Sequence, residues 1–273
     1  MALYCLLSPG GSPGVTTTAL GLALTWTDRV LLAECDPMGR RVLPGFMADR
    51  LNGPVGPGLL GLAMTAPAVG HGPLPLEEYT LPILDDGRVA LLHGLRDARH
   101  ARHLAGLWSP LAETLLAREG DVLADLGRMG GQDTPVELLR HADAVVMVLK
   151  PTLVHVDAAG ARLNALKEVV SEQAQVGLCL IEDGGHNRGY GAGEVERALG
   201  VPVLTVLPWS SADASVLSDG APSRRLFMAS LLMQSLGRLG RRMRKTVGRP
   251  SVSSINEECL VEAPAVPAPA GRS

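Results

Sequence analysis

Apolar runs and helix-like stretches alternate along almost the whole chain. Ala2–Leu7 reads as a strand and Thr16–Trp26 as the helix that follows it. Arg29–Cys35 is a second strand. A Gly/Pro-rich region from Pro44 to Pro82 then breaks the rhythm, with room for a short helix at Leu59–Met64. Val89–Leu92 predicts a strand, Ala98–Ala117 a mostly helical stretch, and Asp121–Leu126 a strand ending in Asp125. Pro135–His141 predicts a short helix and Ala144–Leu149 a fully apolar strand. Asp157–Gln173, Ala192–Leu199 and Arg224–Arg244 predict helices, interleaved with strands at Val176–Ile181 and Val203–Leu207. Strands that are apolar on both faces and alternate with helices imply a mostly parallel twisted sheet covered on both sides. The expected fold class is therefore α/β, as a single domain over residues 1–248. From about Gly248 the chain turns to Ser, Pro and Ala, which predicts a disordered tail at 249–273.

Right-handed crossovers put the carboxyl ends of parallel strands along one edge, where ligands bind. Gly10–Thr18, Asp36, Asp125, Lys150 and Pro208 all follow predicted strand ends, so the topology gathers them at that edge. The loop after the first strand, Ser8 to Thr18, is rich in glycine and leads into Thr16, Thr17 and a helix. That is the context of a phosphate loop, in which successive backbone N–H groups and a helix N-terminus face an anion. Gly10, Gly11, Ser12 and Gly14 suit that backbone, and Thr16 supplies a hydroxyl for Mg²⁺. Against the pattern G-x-x-x-x-G-K-[ST], however, Pro9 replaces the first glycine and Val15 the lysine. Taken alone, the segment could equally be a Gly-rich turn. Glu34 and Asp36 could orient a water or a metal shell, or cap a turn before Pro37. Asp125 stands where a metal-binding carboxylate of a Walker B segment belongs, a place also open to ordinary turn chemistry.

Composition narrows the classes. The 273 residues are 46 % hydrophobic but only 3 % aromatic, so aliphatic side chains must fill the core. A net charge of −3 disfavours a protein that coats nucleic acid, although a local basic patch is compatible with it. Of 25 basic residues only Lys150, Lys167 and Lys245 are lysines. Cys5, Cys35, Cys179 and Cys259 have no metal spacing and read as buried thiols of a reducing compartment. The histidines carry no metal signature either; His100 and His103 could share a helix face by chance. No run reaches the roughly 18 apolar residues of a membrane span, which predicts a cytoplasmic protein.

With these motifs in hand the chain resembles the ParA/MinD family of deviant-Walker ATPases. The matching pieces, in order, are SPGGSPGVTTTALGLAL, LLAECDP, DVLADLG, HADAVVMVLKPTLVHVDAAGARLNAL, VGLCLIEDGG and GEVERALGVPVLTVLPWSSADASVLSDG, spanning about Ala2 to Arg244. The resemblance implies ATP and Mg²⁺ as cofactors and a nucleotide-sandwich homodimer that positions cellular machinery at a septum, a chromosome or a pilus or secretion complex. It implies Mg²⁺ ligation by Thr16 with Asp36 and Asp125, an α-phosphate contact for Thr17, and water orientation by Asp36. Gly10, Gly11, Ser12, Gly14, Val15, Lys150 and Pro208 fall in the implied cofactor site. Both family lysines are missing, at Gly10 and Val15, and Glu182-Asp183 stands where an adenine-side Asn is usual. Weak or absent hydrolysis follows, as in the TadZ/CpaE branch. Two alternatives stand beside this: a protein-interaction module that binds no nucleotide and uses Pro44–Pro82 as its interface, and an active ATPase with a rebuilt cationic site drawn from Lys150, Arg128, Arg40 or Arg41. The basic end of the last helix, Arg238 to Arg249 with Leu236, Leu239 and Met243 interleaved, is either a lipid-contacting face, which would place the protein at the inner side of the membrane, or an ordinary helix with a solvated side.

Overall fold

The computed structural model describes residues 1–11, 14–70, 72–131, 133–182 and 189–248. Ser12, Asp183, Arg249, Cys259 and the expected tail at 249–273 lie outside the described residues. One eight-stranded sheet organises the rest, in the order β3-β4-β2-β5-β1-β6-β7-β8. Its strands are β1 (Leu3–Ser8), β2 (Val30–Glu34), β3 (Leu81–Pro82), β4 (Val89–Leu92), β5 (Asp121–Arg128), β6 (Ala144–Leu149), β7 (Gln175–Ile181) and β8 (Val203–Leu207). All neighbours are parallel except the short edge strand β3, which runs antiparallel to β4. The α/β expectation is met.

Every residue of β1 is buried, because β1 sits between β5 and β6 with helices on both faces. Alternate residues serve the two faces, as the strand period of two requires. Leu3, Cys5 and Leu7 join one core; Ala2, Tyr4 and Leu6 join the other. The first core is covered by α2 (Gly58–Val69), α3 (Trp108–Ala117), α4 (Val136–Arg140), α5 (Leu153–Lys167) and α6 (Ala192–Leu199). The second is covered by α1 (Val15–Thr25), α7 (Ser211–Asp219) and α8 (Leu231–Thr246). Cys5, Cys35 and Cys179 are buried free thiols, as expected, and burial pushes all three upward in pKa.

Several expectations change, among them the helix expected at Asp157–Gln173, which runs from Leu153 to Lys167. The stretch Ala98–Ala117 divides into a 3₁₀ segment, Ala98–Leu104, and α3. The helix expected at Arg224–Arg244 begins only at Leu231, where the Ser230 hydroxyl accepts from the Met233 N–H at 3.4 Å. Helix α7 has no counterpart among the expected elements. The apolar side of α8 is turned inward: Leu232, Met233, Leu236, Leu239 and Met243 are buried against α1 and β8. Burying five such side chains contributes on the order of 10 kcal/mol as an upper estimate. Leu236, Leu239 and Met243 therefore hold the helix to the domain, as the reading of an ordinary last helix requires. Even Arg244 is buried, over the Trp26 ring at 5.6 Å and paired with Asp28.

Candidate functional site

The loop after β1 opens the site. Gly14 takes φ 88°, a left-handed conformation that glycine adopts without strain, and it starts α1. The first turn of a helix leaves its N–H groups without intrahelical partners. Here that turn, Gly14 to Thr17, lines a cavity of about 490 Å³ together with Ser8, Gly11, Asp36, Arg41 and Arg128. Val15, which occupies the lysine position, is only 6 % exposed and belongs to the core on the α1 side. Its backbone reaches the cavity; its side chain packs inward and offers an anion no charge.

Asp125 lies under this cavity. The Thr16 hydroxyl donates to its Oδ2 at 2.5 Å, and the Gly127 N–H donates to its Oδ1 at 2.9 Å. The carboxyl is buried, and burial pushes its pKa up to about 7. The two hydrogen bonds pull it down, while Glu34 and Asp36 nearby push it further up. A β-bulge sets the neighbouring geometry. Leu6 pairs with Asp125 and Ser8 with Arg128, so β5 carries one residue more than β1 between those pairs. Side chains three apart on a regular strand face opposite ways; the extra residue returns Arg128 to the Asp125 side. Met129 shows the same reversal, joining the core of Val122, Ala124 and Leu126.

Asp36 follows β2 and reaches the cavity from the other flank. It accepts from the Met38 N–H at 2.9 Å, and burial raises its pKa against the opposing pull of that bond, Arg41 and Arg128. Gly127 has φ 62°, and a Cβ there would lie 2.3 Å from the Asp36 carboxyl carbon. Only glycine permits this approach of β5 to Asp36. Glu34, a candidate for water or metal contact, is engaged elsewhere. Its buried carboxylate accepts from the N–H groups of Arg41 (2.5 Å), Val42 (2.9 Å) and Gly94 (3.2 Å). It anchors the loop that carries Asp36 and Arg41.

A second cavity, about 340 Å³, adjoins the first and shares Gly14, Thr17, Ser218 and Asp219 with it. Lys150, Ile181, Leu207, Pro208 and Trp209 form its other wall. Lys150 places its ammonium 5.5 Å from the centre of the Trp209 ring, within cation–π range. Trp209 is 52 % exposed over this cavity.

The structure thus brings Gly11, Gly14, Val15, Thr16, Thr17 and Asp36 around one cavity, with Asp125 behind it on the Thr16 hydroxyl, and Lys150 and Pro208 around its neighbour. Gly10 lies in the same loop but outside both linings, and Ser12 falls outside the described residues. Of the cations considered, Arg41 and Arg128 line the first cavity, Lys150 lines the second, and Arg40 lines neither. Sequence reasoning missed Trp209 and the α7 wall of Ser218 and Asp219. The motif Ser210-x-x-Asp213 could have revealed α7: the Ser210 hydroxyl accepts from the Asp213 N–H at 3.4 Å as a helix cap and donates to the Asp213 carboxylate at 2.6 Å.

Among the described residues no cluster of three His, Cys, Asp or Glu side chains could hold a metal unaided. Mg²⁺ needs no such cluster, since it takes one or two carboxylates and fills its shell with water and phosphate oxygen. Thr16, Asp125 and Asp36 are hard oxygen donors and fit a phosphate-bound Mg²⁺ on that criterion.

A parallel α/β sheet with a glycine loop and helix after its central strand, and carboxylates at the neighbouring strand ends, defines a P-loop-type architecture. More narrowly, this is the fold of the MinD and ParA ATPases. The septum site-determining protein MinD of Pyrococcus horikoshii, solved with Mg-ADP, matches over 90 % of this chain and 97 % of its own, at 18 % identity and a TM-score of 0.70. A variant of McdA from Cyanothece, solved as its ATP complex, matches over 92 % and 98 %, at 16 % identity and a TM-score of 0.65. A ParA family ATPase of Chlorobium tepidum matches over 88 % and 97 %, at 14 % and 0.64. No protein-family model matches the sequence. A UPF0309 protein of Brucella anthropi is 32 % identical over 153 residues; the match takes in 50 % of this chain and spans 62 % of that protein's length.

Proposed function

We propose that this protein is a nucleotide-dependent switch or scaffold of the ParA/MinD kind, which positions or assembles cellular machinery and hydrolyses ATP slowly or not at all. One observation carries the proposal. The Thr16–Asp125 hydrogen bond, 2.5 Å long, lies beneath two joined cavities that run from the glycine loop to Trp209. A hydroxyl and a carboxylate joined at a helix N-terminus are what a Mg²⁺–phosphate group needs. The adjoining apolar cavity suits a nucleoside, with Trp209 and Pro208 along one wall. Two solved relatives in fold are described with Mg-ADP and with ATP, which agrees with this ligand class.

Bound Mg²⁺ would screen phosphate charge. The chain's own residues do the rest: Thr16, Asp125 and Asp36 hold the ion, the first turn of α1 receives phosphate, and Asp36 orients a water. Weak hydrolysis follows from Val15. A loop lysine stabilises charge that develops in the transition state, and loss of one such donor costs roughly 3–4 kcal/mol. Dimer formation is tested by light scattering with Mg-ATP and with EDTA. The proposal expects the mass to double only with Mg-ATP; a mass unchanged by nucleotide removes the switch and leaves the scaffold. A reading without nucleotide, in which the Pro44–Pro82 segment docks a protein, is favoured by exposed Leu51 and Met64 in that segment.

A further inference from the structure

We infer that Arg41 and Arg128 act together as the phosphate-binding cations of the cleft, in place of the lysine absent at Val15; this rests on the nucleotide reading above. Both residues line the cavity formed by Gly11, Thr16 and Thr17. Both residues are exposed, and among the described residues neither side chain has a carboxylate within ion-pair distance or a hydrogen-bond acceptor. By contrast, Arg118 is paired with Glu77 and Arg140 with Glu137. Two cations at one small cavity, neither held in an ion pair, are available to an incoming anion.

Their backbones are fixed while their side chains are free. Arg41 leaves the loop at a point held by the buried Glu34 carboxylate at 2.5 Å. Arg128 is turned to the cavity by the β5 bulge, which returns it to the Asp125 side. The two therefore approach from separate segments, the loop after β2 and the end of β5, and both favour the ionised form of Asp36. Guanidinium groups bind phosphate oxygens bidentately, which a single lysine cannot do. The cavity also carries two acidic groups, Asp36 and Asp219. They disfavour a bare polyanion and favour one complexed with Mg²⁺. The ligand class is thus a Mg²⁺-complexed di- or triphosphate.

Calorimetry on the full chain separates the outcomes, with Mg-ATP and Mg-tripolyphosphate as the two probes. The variants are Arg41→Ala, Arg128→Ala, the double variant, and Arg241→Ala. Arg241 lines a different cavity on α8 and loses the same charge. Each cleft substitution should weaken both probes by about tenfold or more, since hydrogen bonds to charged groups are the strong ones. Arg241→Ala should leave both unchanged, and Arg41→Lys or Arg128→Lys should retain part of the binding that the alanine variant loses. If the wild type binds Mg-ATP and the double variant binds it equally well, the cationic pair is overturned and the nucleotide reading survives. If tripolyphosphate binds through the two arginines and Mg-ATP does not bind, the pair stands and the nucleotide reading falls. If the wild type binds neither probe, both are overturned.

Discussion

The two halves of the cleft are built differently. The half around Thr16 is polar, and backbone geometry fixes it. Asp125 is held by Thr16 and Gly127, the Asp36 loop by Glu34, and Arg128 by a bulge. The half around Trp209 is apolar, and side-chain packing shapes it: Ile181, Leu207, Leu232 and Leu236 line it beside an exposed ring. Loss of the loop lysine touches only the first half. A site whose anion cradle is mostly backbone keeps its shape when a charged side chain disappears. Its ability to bind can therefore outlast its ability to hydrolyse.

The largest expected effect breaks the polar half. An aspartate ionises near pH 4 in an unfolded chain, about three units below Asp125 in the fold. Between those values the folded protein holds a proton that the unfolded chain has released. Asp125 thus favours the folded state fully below about pH 4, and that contribution is lost as pH rises through about 7. Without ligand, stability should fall across this window, by on the order of 4 kcal/mol from this group. Asp125→Asn should flatten the fall, as read from urea midpoints at pH 5 and pH 8. It should also abolish the Mg²⁺-dependent binding of nucleotide. An equal fall in the variant would place the pH dependence elsewhere.

Gly127→Ala should cost about 2–3 kcal/mol, because it imposes a left-handed φ on a residue with a Cβ and drives that Cβ into the Asp36 carboxyl. Thermal unfolding would register the loss, and a melting point unchanged from the wild type would contradict the close approach. In the apolar half, Trp209→Ala should remove about 1–3 kcal/mol of Mg-ATP binding if the ring stacks on a base. Mg-tripolyphosphate binding should stay unchanged, which sharpens the division between the halves. The smallest effect belongs to Lys150→Ala, about 0.5–1 kcal/mol through its contact with Trp209. A much larger loss would assign Lys150 to the phosphates.

Much of the fold is legible in the sequence because its strands are buried on both faces. Ala144–Leu149 appears as an uninterrupted apolar run and Val203–Leu207 as one broken only by Thr205, and both form strands with those bounds. Helix α7 is hidden because it is mostly Ser, Ala and Asp, with only the adjacent Val216 and Leu217 strongly apolar and no apolar stripe; its Ser210 cap is the clearer signal. The edge strand β3 has only two residues and contains Pro82, too little to leave a period. In the site, Thr16, Asp36 and Asp125 are legible as strand-end chemistry. The role of Glu34 is not, because its three partners lie 7, 8 and 60 residues away and meet it only in the fold. The direction of Arg128 depends on a bulge that neighbouring residues do not announce.

The central claim is that the cleft binds Mg-ATP through the Thr16–Asp125 pair without a loop lysine. Calorimetric titration of the full chain with ATP, in Mg²⁺ and in EDTA, tests it most directly. The account predicts saturable binding that needs Mg²⁺ and disappears in Asp125→Asn. Absence of heat at millimolar Mg-ATP, with the protein folded, would contradict it and leave the glycine loop as a turn.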